Sequence, residues 1–147
     1  MESNLNERTT YKVHWSFWII SIFMLIWKVM GCINFFMQMD PEMVSSYRET
    51  EQAIIHGRPN WVTAGFAIAV FGGAIGCILL LIKRSESFYL FIASLLGVLV
   101  AIGHSLTLNI EFSIGEIIGI VLMPVLVATF LIWYSKYAKT KGWLNVT

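Results

Sequence analysis

The sequence predicts an all-α membrane bundle of four transmembrane helices, with a short amphipathic helix outside the membrane between the first two. Three observations carry this. The 147 residues are 57% hydrophobic and only 13% charged, against about 25% charge in a soluble domain. The apolar residues gather into four runs of about 20 residues or slightly more, each long enough to cross a roughly 30 Å hydrocarbon layer. The basic residues fall on alternate sides of those runs. One membrane domain over residues 1–147 is the reading at this length. A net charge of +1 gives no reason to expect a nucleic-acid partner; the expected partners are the lipid bilayer, further copies of the chain, or a larger membrane protein.

The first span is Trp15 to Met37. Its apolar run exceeds the roughly 7–15 residues of a signal-peptide core and no small-x-small site follows it, so a retained helix is expected. Trp15, Trp18 and His14 mark its interface with headgroups. Lys28 lies about 13 residues in, near mid-depth, on a face shared with Ser21 and Cys32. Met1 to Thr10 is polar and aperiodic, and is read as a loose tail.

Residues 38–60 form the only sizeable loop. Asp40-Pro41-Glu42 is a helix start, with Asp as cap and Pro in the first turn. Met43, Val44, Tyr47, Ile54 and Ile55 are spaced for one apolar face, and Gly57 and Pro59 end it. A single helix over about 41–56, resting on the membrane or over the bundle mouth, is predicted.

The second span, Trp61 to Ile82, is the expected packing centre. Gly65, Ala69, Gly72, Gly73 and Gly76 form a small-residue stripe along one side. Such a stripe lets a second backbone approach closely in lipid. The third span, Phe88 to Leu108, offers Ser94, Gly97, Ala101, His104 and Ser105 to the interior. The fourth, Ile114 to Tyr134, opens with Gly115 and Gly119, a second close-packing spacing, and then meets Pro124, which should kink it.

Seven bases flank one side of the spans (Arg8, Lys12, Lys83, Arg84, Lys136, Lys139, Lys141), against Arg48 and Arg58 on the other. The positive-inside rule therefore puts both termini in the cytoplasm. Asn145-Val146-Thr147 matches a glycosylation acceptor, a match without meaning on that side. The two cysteines, Cys32 and Cys77, fall at different depths and are expected as free thiols.

Intramembrane polar residues are the candidate site: Lys28, Asn34, His104 and Glu116. A charge at bilayer centre costs roughly 2.5–3.5 kcal/mol on insertion scales, so such groups turn toward protein or water. Glu116 and His104 could share a proton, with Lys28 as counter-charge. Side chains lean toward their helix N-terminus, however, which draws Lys28 and Glu116 apart. The blander readings are a snorkelling or ion-paired lysine, a glutamate at the positive end of its own helix, and a hydrogen-bonded histidine. No nucleophile elbow, phosphate loop, zinc spacing or dinucleotide fingerprint occurs, and no histidine pair sits at haem-ligand depths. No cofactor, metal or enzymatic activity is therefore expected.

Pro59-Asn60-Trp61, the Ala67 to Gly73 run, Gly76 and Leu79 to Arg84, with Trp27, Gly31 and Phe35-Phe36-Met37, resemble a family of small bacterial four-helix inner-membrane proteins often labelled "sugar transporter". The resemblance implies a bacterial cytoplasmic membrane and supplies no binding residues. Where those proteins tend to carry a neutral Asn, this chain has Lys28. Two functions follow as expectations. One is an accessory or scaffold protein that packs through its glycine stripe. The other is a small transporter or channel-like oligomer built on the polar cluster.

Overall fold

The computed structural model describes residues 12–144; the N-terminal tail and the Asn145 acceptor sequence lie outside them. The chain is all-α. Four long helical stretches are apolar enough to cross a membrane: α1 (Trp15–Met37), α4 (Asn60–Leu81), α5 (Ser87–Leu106) and the stretch Ile114–Thr140. Within the last, α6 (Ile114–Ile117) passes through a π-helical turn (Ile118–Leu122) into α7 (Met123–Thr140). Three of the four spans agree with their predicted limits to within two residues at either end. The fourth continues six residues past Tyr134, because Ala138 is buried and Tyr137 packs in its ring cluster.

The connecting segment differs from its expectation. Two helices, α2 (Pro41–Val44) and α3 (Glu49–His56), replace the single helix over 41–56. Asp40 caps α2 as expected, accepting from Glu42 N at 3.0 Å. Ser45 and Ser46 then break the run: their hydroxyls donate to the carbonyls of Glu42 and Met43, both at 2.6 Å. Such local bonds compete with helix continuation. Arg48 is extended (φ −64°, ψ 152°), which restarts the chain as α3. Gly57 ends α3 and sits against the side chain of Leu108 in the connection between α5 and the last span.

The π-turn answers the expected kink. Pro124 has no N–H to donate and its ring crowds the carbonyl four residues back, that of Ile120. One widened turn just ahead of the proline takes up this misfit while the helix continues.

The spans pack in the order α1, α4, α5, α7. The α4–α5 contact is the most intimate. Gly97 of α5 lies on the backbone of Gly65 and Ala69, so that an added Cβ would be 2.8 Å from Ala69 N. Gly65 faces Val100, Gly76 faces Phe91, and Gly72 approaches the Leu90 carbonyl. The expected stripe is thus used inside the chain. Gly115 and Gly119 are corrected: a Cβ at either meets nothing within 4 Å. Neither glycine is therefore a close-packing contact among the described residues.

One end of the bundle carries the first and last described residues and the α4–α5 turn (the terminal end); the other carries α2 and α3 (the loop end). Phe17, Cys77, Leu80, Phe91, Leu131 and Tyr134 form a dense core at the terminal end. There α1 meets α7 through the stacked rings of Phe17 and Tyr134, 6.3 Å apart. Gly142 (φ 74°) turns the chain after α7, with Trp143 N donating to Ala138 O and Gly142 N to Lys139 O, the paired bonds of a Schellman stop. The turn lays Trp143 edge-on against Phe17. Lys83 ends α4 with the same bond pattern at φ 62°, and its ammonium lies over the Trp18 ring at 5.6 Å.

Candidate functional site

Toward the loop end the bundle leaves a cavity of about 340 Å³ among α1, α4, α5 and the last span, roofed by α3. This lies in the lower part of the roughly 300–1,000 Å³ range of small-molecule pockets. Its walls are mostly apolar, with Trp27, Phe66, Val98, Ile102 and Val127 among them. Gly119 and Ile120 place the π-turn on the wall, a common position for such turns near functional sites.

Lys28 lines the deep part of this cavity and is 7% exposed. The packing of α1 on α4 puts it there, and Gly73 makes the room. A Cβ at Gly73 would fall 2.7 Å from Cδ and Cε of Lys28. The lysine Nζ donates to Ser94 Oγ at 3.5 Å, and Ser94 Oγ donates to Ala69 O at 2.6 Å. Among the described residues no carboxylate pairs with Lys28. Nearby, Cys32 Sγ donates to Val70 O at 3.5 Å. Both cysteines are free.

Asn34 lines the cavity higher up. Its Oδ1 accepts from the Tyr47 hydroxyl at 2.8 Å, which ties the α2–α3 connection to α1. Arg58 closes the same rim. Its guanidinium donates to Gln38 Oε1 at 2.8 Å and lies 5.1 Å from the Phe66 ring centre. Its Nε is buried without a hydrogen-bond partner. Burial pushes this guanidinium down from its ordinary value, though arginine stays charged. Among the described residues, Glu51 is the one carboxylate on the lining.

The predicted polar cluster therefore divides. Lys28 and Asn34 share the cavity; His104 and Glu116 do not line it. His104 packs edge-on against Trp61, ring centres 5.8 Å apart, and its Nδ1 is buried without a partner. Glu116 serves its own helix start. Ser113 Oγ accepts from Glu116 N at 3.3 Å, and Glu116 Oε2 accepts from Ser113 N at 2.9 Å. This capping box was legible as Ser-x-x-Glu ahead of an apolar run. Proton sharing between His104 and Glu116 has no support in this arrangement. Arg58, Tyr47, Gln38 and Ser94 were missed as site residues. Arg58 had a sequence signal, a cation directly before the Pro59 helix start, but nothing in the sequence set it over the same space as Lys28.

Arg58 and Tyr47 fasten the roof. Arg58→Met is expected to free α3, because it removes a charge-assisted hydrogen bond worth about 1.5–3 kcal/mol and the ring contact. Amide exchange of residues 49–56, followed by mass spectrometry, should speed up by at least about tenfold while exchange in α5 is unchanged.

Fold and cavity together define a multi-pass, all-α membrane protein with a solute-sized chamber over a buried lysine. No family profile, no curated protein and no solved structure matches the chain.

Proposed function

We propose that this protein is a small inner-membrane transport protein that admits a solute from the extracytoplasmic side into the chamber above Lys28. The observation that carries this is the buried Lys28, which pairs with no carboxylate among the described residues and lines a cavity of about 340 Å³. Ionisable residues inside membrane spans are expensive, and when they face a cavity they mark solute or ion pathways. The surplus of bases at the terminal end supports cytoplasmic termini, with the loop end outside. In that orientation the chamber faces outward, and the aromatic core at the terminal end is the barrier to the cytoplasm. Four helices leave little room for a complete path, so passage requires that barrier to open or copies of the chain to assemble.

The test is osmotic swelling of proteoliposomes in isotonic neutral, anionic and cationic small organic solutes. At least one class is expected to enter faster than into protein-free vesicles, and Ala101→Trp, which fills the chamber, should abolish the excess. Entry no faster than in empty vesicles for all three classes refutes transport.

A scaffold role is the second reading. The α4 stripe no longer favours it, because α5 and Lys28 cover that stripe. Gly103 and Gly115, which face open space, are what remains in its favour. Recovery of a stoichiometric membrane partner from native membranes, lost on Gly115→Leu, would establish it.

A further inference from the structure

The chamber's chemistry is one-sided. Among the described residues, Lys28 and Arg58 are the cations on its lining and Glu51 is the one carboxylate, which leaves an excess of positive charge. Glu51 belongs to the roof helix α3, so the deep part holds a cation alone. The nearby acceptors are already engaged: the Ala69 carbonyl takes the Ser94 hydroxyl, and the Val70 carbonyl takes the Cys32 thiol. Lys28 has three N–H donors and only one of them is used, on Ser94 at 3.5 Å. The deep part therefore offers donors and positive charge without a matching acceptor. Around it the walls are apolar and aromatic, with Trp27 next to Lys28 on α1 and Phe66 nearer the roof on α4. A small inorganic anion would leave most of about 340 Å³ unfilled, and a cation or an obligate donor would meet the wrong charge.

We infer that the chamber takes a small organic anion, its carboxylate-like end on Lys28 and its apolar body against Trp27 and Phe66. This rests on the solute-binding reading above and names its substrate class. An anionic head on an apolar body describes both a free organic acid and a lipid of the surrounding bilayer, and the two sources are separable.

Saturation-transfer NMR on the full chain in phosphatidylcholine nanodiscs, with empty nanodiscs subtracted, tests the assignment. The probes are benzoate and hexanoate as anions, benzamide as the neutral analogue and benzylamine as the cation. Benzoate or hexanoate should bind at least about tenfold more tightly than benzamide and benzylamine. Lys28→Met should bring benzoate and benzamide within about twofold of each other, and Lys28→Arg should keep the preference for anions. Repeating the series with phosphatidylglycerol added assigns the source. Unchanged benzoate binding supports a free acid, whereas competition by the anionic headgroup, itself lost in Lys28→Met, supports a lipid. Equal binding of benzamide and benzoate, binding unaffected by Lys28→Met, or no binding of either anion overturns the inference. Swelling in neutral solutes would then still uphold transport, so the two failures are distinguishable.

Discussion

Gly97→Ala is expected to prevent the bundle from assembling, or to destabilise it by about 3 kcal/mol or more, the upper end of overpacking penalties. The added methyl would overlap the Gly65 carbonyl and stand 2.8 Å from Ala69 N. Both obstacles are helix backbone, so no rotamer change relieves them. The two helices would have to separate along their length, and with them the Ser94–Ala69 bond that orients the Lys28 partner. Gly103→Ala is the control on the same helix, where nothing lies within 4 Å. It should leave stability within about 1 kcal/mol of the parent, on the favourable side, because alanine is the better helix former. Reversible unfolding in mixed micelles measures both. Similar stabilities for the two variants would show that α4 and α5 do not approach as described.

Lys28→Met is expected to make the protein more stable as it removes the proposed binding function. The lysine is 7% exposed and has no carboxylate partner among the described residues. Replacing an uncompensated buried cation by an apolar chain of similar length should gain about 1–3 kcal/mol. The gain falls below the full insertion penalty because one side of the amine opens to the cavity. Gly73 supplies a second arm. Gly73→Val forces the Lys28 stem from its groove, since the new Cβ would be 2.7 Å from Cδ and Cε. That variant should lose stability in the Lys28 background and recover most of it in Lys28→Met, where an uncharged, flexible chain can move aside without stranding a buried charge. Additive effects in this double-mutant cycle would mean that the two side chains do not meet.

The spans were legible because lipid imposes a length and a polarity that few other environments demand. Trp15 to Met37 agrees with its helix at both ends, and the Asp40 cap was readable from three residues. The stripe on the second span was readable as well, although not its partner. A set of glycines states that something comes close; only the fold shows that Gly65 receives α5 and Gly73 receives a lysine. The site was half legible. Lys28 stood out because a charge in an apolar run requires explanation. Arg58 did not, because a cation in a polar loop is ordinary until the loop folds back over the chamber. For Glu116 the blander expectation, an acid at the positive end of its own helix, agrees with its capping box, whereas its depth along the span suggested a place in the polar cluster that the cavity lining does not give it. The break at Ser45 and Ser46 was missed because the apolar spacing was counted straight through two hydroxyls able to bond backward.

The π-helical turn at Ile118–Leu122 gives the fourth span one surplus residue relative to a regular α-helix. Each residue is worth about 100° of rotation. Ile114–Ile117 is therefore offset by about that angle, relative to a regular helix, from everything beyond Pro124. Deleting a single residue from the widened turn would swing Glu116 and Gly115 about a third of a revolution around the axis while Leu131 and Tyr134 kept their seats. The first turn of the fourth span can thus be re-aimed, by mutation or over evolutionary time, without disturbing the aromatic core at the terminal end.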